Sequence, residues 1–299
     1  MMTAPATPDG LLLVDKPAGV SSHDMVLAAR RAVRERRIGH AGTLDPFATG
    51  LLVLLVGRAT RLLPHLSGEP KVYEATIVFG SATDTDDVGG AVVDTGPLPT
   101  QRAIRDAIPA LTGPLQQVPS AYSAKRVDGR RAYDLARAGV AVELAPAAIT
   151  VHGWEIIGAV GQDDAVSELA VRVTCSGGTY VRALARDLGR AVGSAAHLRA
   201  LRRVASGPFR VEEAVTLAAL RDGAVRLRPP ADALPHLPVE RLTEEQVARV
   251  VRGIAVEAAA AGPWARLVHI DTGVLVALGE RRDDQWQPRV VMRPAVEGA

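Results

Sequence analysis

Gly39-His40-Ala41-Gly42-Thr43-Leu44-Asp45-Pro46-Phe47-Ala48-Thr49-Gly50 runs directly into the apolar stretch Leu51–Val56. Three glycines open backbone conformations closed to residues that carry a Cβ. Pro46 biases Asp45 away from the α region, so its carboxylate sits on an extended or turning loop. The apolar run anchors that loop in a core. One rigidly placed carboxylate on a loop suits a covalent nucleophile or a general base. Local chemistry alone leaves a capping or turn aspartate equally open.

Outward from this loop, helices and strands are mixed. Val26–Arg37 reads as a helix, with Ser21 or Ser22 available to cap a segment that begins near His23. Val72–Phe79 and Leu169–Cys175 alternate as strands. Thr179–Val192 reads as a helix with Arg182, Arg186 and Arg190 at four-residue spacing, hence on one face. Gln101–Leu111 and Arg131–Ala138 read as further helices. No βαβ succession with Gly-rich turns occurs, which disfavours a doubly wound sheet and leaves α+β.

Four prolines, Pro229, Pro230, Pro235 and Pro238, interrupt any helix or ladder across Arg228–Pro238. Beyond them Thr243–Arg252 reads as a helix capped by Thr243. Ala265–Ile270 and Val274–Leu278 read as strands around the Asp271-Thr272-Gly273 turn. The expected domains are 1–236 and a small, mostly β unit over 237–299.

At 299 residues the chain has ample length for a sizeable core, and its 47% apolar and 23% charged residues are those of a globular protein. No apolar run reaches the ~18 residues of a membrane-spanning helix. The short run Leu11–Val14, with no Lys or Arg before it, does not read as a signal peptide. Cys175 is the sole cysteine, which excludes an intrachain disulfide and a cysteine-rich zinc site. A cytoplasmic enzyme or binding protein is expected.

Of 35 basic residues only Lys16, Lys71 and Lys125 are lysines. Arginine's planar fork suits phosphate, although biased genomic composition gives the same excess. Arginines gather at Arg30–Arg37, Lys125–Arg137 and Arg182–Arg203 on a chain whose net charge is only +2. Such clusters suggest a surface that faces a polyanion.

The P-loop, dinucleotide-binding, zinc-protease and esterase-elbow patterns are all missing. Thr83-Asp84-Thr85-Asp86-Asp87 could suggest an aspartyl-phosphate phosphatase or a calcium loop, but Val88 occupies a calcium-ligand position. A polar turn closed by Gly89 and Gly90, which could also flank a cleft, is the simpler reading.

The Asp45 loop resembles the catalytic loop of the bacterial tRNA pseudouridine synthase B family. Further motifs of that family follow in order over about 200 residues. Asp15-Lys16-Pro17-Ala18-Gly19-Val20-Ser21-Ser22 resembles its N-terminal motif, and Lys71-Val72-Tyr73-Glu74-Ala75 its substrate-stacking strand. Gln117–Tyr133 resembles the start of an RNA-clamping loop near 117–150. Cys175–Arg182 resembles the motif of the catalytic arginine, and His197–Arg203 the last active-site motif. Phe47 and Lys125-Arg126 depart mildly from the family pattern.

The resemblance implies a mixed, largely antiparallel sheet flanked by helices, with a PUA-like RNA-binding tail. It implies conversion of a uridine in the tRNA TΨC loop, at tRNA position 55, to pseudouridine. Asp45 would be the nucleophile, kept ionised by Arg182, with Tyr73 as the catalytic and stacking aromatic. Tyr180 and Leu201 would line the pocket. His40 would enter the space left by the flipped base, and Lys16 would order the loop or meet a phosphate. The expected partner is the tRNA T-arm, met by a monomer with no metal, cofactor, membrane or obligate protein partner. An inactive tRNA-binding or folding factor, and a synthase for other RNAs, are the competing readings.

Overall fold

The computed structural model describes residues 9–120, 122, 126–127, 130–131, 144–223 and 225–292. Strands β1 (Gly10–Lys16), β2 (Ile38–Ala41) and β3 (Thr49–Val56) build its first half. β1 and β3 pair antiparallel from Gly10–Val56 to Lys16–Gly50. Their side chains alternate between two cores. Leu12, Val14, Leu52, Leu54 and Val56 meet Met25, Val26 and Ala29 of helix α1 (Ser22–Val33). Leu11, Leu13, Leu51, Val53 and Leu55 face the opposite core. Being buried on both faces makes Leu51–Val56 continuously apolar, and it fixes the Asp45 loop at one end.

Ser21 caps α1 through a capping box with Asp24, so the helix starts four residues before Val26. It stops at Val33 because Arg34 turns left-handed at φ 53°, freeing the chain to enter β2. Arg30–Arg37 therefore spans a helix end and a turn rather than one helical face.

The middle of the chain supplies β4 (Lys71–Phe79), the β5–β6 hairpin (Ser81–Thr83, Val92–Thr95), α2 (Gln101–Ala107) and β7 (Gly113–Gln117). Ile108–Leu111 tightens into a 3₁₀ turn at Pro109, which shortens the expected helix. A small ladder, β8–β9 (Arg126–Val127, Arg130–Arg131), holds Arg131 in a strand. The rest of the expected Arg131–Ala138 helix, and most of the clamp loop, lie outside the described residues.

Strands β10 (Ala147–Gln162) and β11 (Ala165–Cys175), helix α3 (Val181–Ala191) and β12 (Ala196–Ser206) follow, then the short β13 (Phe209–Arg210), β14 (Val215–Thr216) and α4 (Leu217–Arg221). The main sheet has ten strands in the path β14-β1-β3-β12-β4-β11-β10-β7, with β2 and β13 on its margins. Only β1–β14 and β3–β12 pair in parallel. The sheet is thus mixed and largely antiparallel, as the sequence led us to expect.

β12 joins the two halves. It runs antiparallel to β4 through most of its length but meets β3 only at Arg202–Thr49 and Arg203–Gly50. At that meeting Gly50 has φ +100°, and a Cβ there would lie within van der Waals overlap, 2.3 Å from the Arg203 carbonyl oxygen. Gly50→Ala is expected to cost about 2–4 kcal/mol, from backbone strain plus separation of the two strands. Thermal unfolding checks this; an unchanged melting temperature would mean that β3 and β12 yield freely.

Past the prolines lies a five-stranded sheet, β15-β17-β18-β19-β16 (Val239–Leu242, Trp264–His269, Leu275–Arg282, Gln285–Val291, Val256–Glu257). Helix α5 (Glu244–Val250) is capped by Thr243 as expected. Trp286 is fully buried in this unit's core and donates its indole N–H to Glu240 at 2.8 Å. Val268, Leu275, Leu278, Val290 and Met292 join the core under β1 and β3, and the His65 and Trp264 rings meet at 4.6 Å. Among the described residues no helix is long and apolar enough to cross a membrane.

Candidate active site

The N-terminal segment clamps the Asp45 loop from below. Lys16 Nζ donates to the carbonyls of Pro17 (3.0 Å), Val20 (2.7 Å) and Pro46 (3.2 Å), and the residue is completely buried. Gly19 N–H also donates to the Pro46 carbonyl, at 2.8 Å. Ser22 Oγ accepts from Leu44 N–H at 2.9 Å and donates to Leu44 O at 3.1 Å. From the other side Arg203, also fully buried, donates to Leu51 O at 2.7 Å and to Gly42 O at 3.0 Å. The carboxylate of Asp45 therefore projects from a backbone held on both flanks.

Arg182 meets it from the first turn of α3. Its Nε stands 3.0 Å from Asp45 Oδ2, an ion-pair contact without hydrogen-bond alignment. The rest of the fork is committed: Nη1 donates to Thr85 O (2.8 Å) and Asp87 Oδ2 (3.2 Å), and Nη2 to Tyr122 O (2.8 Å). One turn on, Arg186 repeats the pattern, donating to Asp86 Oδ2 at 3.2 Å and Val118 O at 2.7 Å. Consecutive carboxylates of one turn are thus taken up by arginines four residues apart on one helix face. Gln117 adds a reciprocal pair with the Tyr180 backbone, at 3.1 and 2.9 Å.

These groups border a cleft of about 260 Å³ lined by Asp45, Tyr73, Tyr180, Arg182 and Leu201, with Lys71 and the Gly42–Leu44 backbone. Tyr73 is 6% exposed, and burial pushes its phenol up, so the ring offers a neutral hydroxyl at neutral pH. Burial also raises the Asp45 carboxyl above its ordinary value, opposed by Arg182 and reinforced by the charge of Asp87. Arg182 favours the ionised form of Asp45 while sharing its charge with Asp87.

Five of the expected site residues, Asp45, Tyr73, Tyr180, Arg182 and Leu201, thus share one cleft. Lys16 and His40 do not line it. Lys16 lies beneath the loop with its three donors used by carbonyls, which makes it a brace and leaves nothing for a phosphate. His40 stands on β2, half-buried, with Nδ1 lacking a hydrogen-bond partner among the described residues. Burial and the charge of Arg203 hold its pKa down.

Asp87, Arg203 and Gln117 were not singled out by the sequence. Thr83–Asp87 leads into the expected polar turn, its Asp86 and Asp87 both held by arginines. The Arg182–Arg203 cluster, read as a polyanion-facing surface, is so only in part. Arg182 and Arg203 are buried and Arg186 is nearly so, whereas Arg190 and Arg199 stay exposed, and Arg199 and Arg202 pair with Glu168 and Asp15. In contrast, Arg31, Arg34, Arg36 and Arg37 are exposed.

Residues 30–181 match the model described as TruB family pseudouridylate synthase (N terminal domain). Fold and sequence therefore define a pseudouridylate synthase, an enzyme. Residues 182–242 match the tRNA pseudouridylate synthase B C-terminal domain. The tRNA pseudouridine synthase B of Thermobifida fusca is 45% identical over 95% of this chain and 98% of its own. That of Aromatoleum aromaticum is 46% identical over 91% and 88%. The chain belongs to the tRNA pseudouridine synthase B (TruB) family. Its fold is shared with a Cbf5-Nop10-Gar1 complex structure (TM-score 0.69, 24% identity, 98% of this chain and 92% of that one).

Proposed function

We propose that this enzyme isomerises a uridine of the tRNA TΨC loop, at tRNA position 55, to pseudouridine, with Asp45 as nucleophile. The observation that carries the reading is the Asp45 Oδ2–Arg182 Nε contact of 3.0 Å, at a cleft that also holds a buried tyrosine. The reaction breaks the N1–C1′ bond, turns the base and joins C5 to C1′, so atoms balance within the substrate. Asp45 attacks the sugar or the base in its ionised form, oriented by Arg182; the bond it makes is broken again by the time C5 is joined to C1′, C5 gives up its proton and N1 gains one.

A uridine inside a folded loop must be extruded, at a cost of a few kcal/mol. Stacking on Tyr73 returns roughly 1–3 kcal/mol of that. Tyr180 and Leu201 enclose the base, and His40 moves into the space it vacates. Residues 1–236 form the catalytic domain and 237–299 a PUA-like RNA-binding domain. Exposed arginines of the Arg30–Arg37 turn hold RNA phosphate.

Incubating purified protein with unmodified tRNA and mapping pseudouridine tests the reading. Product at position 55 is expected. Product only in another RNA would move the substrate, and none at all would favour a binding or folding factor. Tyr73 offers a finer test. Tyr73→Phe is expected to bind tRNA normally but to turn over at least ~10-fold more slowly, and Tyr73→Leu to lose stacking as well. Near-wild-type single-turnover rates for both would return Tyr73 to ordinary packing.

A further inference from the structure

We propose that Lys71 binds the RNA backbone at the mouth of the cleft, donating to a phosphate that flanks the flipped uridine; this rests on the functional reading above. Lys71 opens β4 two residues before Tyr73, so both side chains lie on the same face of the sheet. Tyr73 is buried, whereas Lys71 is half-buried, which puts the ammonium one pleat nearer solvent. It overhangs Gly42 of the Asp45 loop: a Cβ on Gly42 would stand 3.0 Å from Nζ.

The other cations around this loop are committed. Lys16 has three carbonyl acceptors, Arg203 is taken up by loop carbonyls, and Arg182 is shared between two carboxylates and two carbonyls. Among the described residues Lys71 Nζ has no hydrogen-bond partner. Glu69, the nearest carboxylate along the chain, accepts from Gly177 N–H at 2.7 Å and acts on Lys71 through its charge without a hydrogen bond. A half-buried ammonium with three unfilled donors is costly unless something anionic completes it. Burial and the charge of Arg203 hold its pKa below the ordinary lysine value, outweighing the opposite pull of Glu69.

Lys71 lines the same cleft as Asp45, Tyr73, Tyr180, Arg182 and Leu201, the residues that would meet the base. What passes the mouth beside Lys71 is the sugar–phosphate chain of the same nucleotide. A phosphate there meets a point charge, which is how lysine recognises phosphate.

The test uses T-arm stem-loop RNAs carrying a neutral methylphosphonate 5′ or 3′ to the target uridine. Wild-type protein is expected to bind one of the two about tenfold more weakly than the unmodified stem-loop. Lys71→Gln is expected to bind unmodified RNA with a similar loss and a salt slope smaller by about 0.7–0.9, and to be indifferent to the same methylphosphonate. Lys71→Arg is expected to restore much of the affinity. The loss should fall on KM more than on saturated turnover.

Wild-type affinity unchanged by either neutral phosphate would overturn the proposal without involving any variant. Additive losses in Lys71→Gln and the modified RNA would also overturn it. Wild-type product on the unmodified stem-loop is scored separately. Its absence would count against the synthase reading, while the binding and salt-slope measurements still decide the role of Lys71.

Discussion

Asp45→Asn is expected to lower single-turnover pseudouridine formation by about 10⁴-fold or more, to below detection, with tRNA affinity within a few-fold of wild type. The amide is nearly isosteric, and the flanking backbone keeps its contacts at Leu44 and Pro46. What it loses is charge and nucleophilicity, for which no other carboxylate substitutes. Asp87 lies on the far side of the guanidinium. Substantial product from the folded variant would sink the nucleophile assignment.

A pH profile probes the same group without mutation. Burial raises the Asp45 pKa, so the active ionised form is lost as pH falls through a value above the ordinary ~3.9 of aspartate. The acid limb of single-turnover activity is expected above that value. Asp87→Asn removes a charge that pushes Asp45 upward, so the limb should move to lower pH even as the maximal rate drops. A limb that moved upward would assign the titration to another group.

Arg182→Lys should cost about 10²–10³-fold in turnover while affecting RNA binding much less. Lysine keeps the charge, but one ammonium cannot reach Asp45, Asp87, Thr85 O and Tyr122 O together, as the guanidinium does. The side chain is 4% exposed, so its unfilled partners are left with little water to replace it. A lower melting temperature is expected alongside the kinetic loss. A large loss of affinity with unchanged saturated turnover would make Arg182 a phosphate contact instead.

The sequence disclosed the local parts of this site well and its cross-chain parts poorly. Asp45 on a stiff loop, Leu51–Val56 as anchor and the Arg182–Arg186 face could all be read from spacing and residue type. The Asp45–Arg182 meeting came from the family resemblance, because no periodicity links residues so far apart. Whether Lys16 orders the loop or meets a phosphate stayed open in the sequence, since its acceptors are backbone carbonyls, which every residue carries. Arg203 counted toward a surface charge cluster for a related reason. Only the parallel contact of β12 with β3 turns its side chain inward under Gly42. Asp87 was hidden among neighbouring aspartates until α3 selected it.

The placement of β12 also bears on how the enzyme comes into being. The bond from Arg203 Nε to Leu51 O spans 152 residues of chain. At ribosomal rates of about 5–20 residues per second, the Asp45 loop waits roughly 8–30 s after its own synthesis for that partner. During this interval β1 and β3 can pair, but the loop between them lacks its second flank and its facing arginine. A nascent chain paused before residue 200 would therefore carry the Asp45 loop without its second flank. Translation through α3 and β12 sets the earliest moment at which the Asp45 loop can meet Arg182 and Arg203 together.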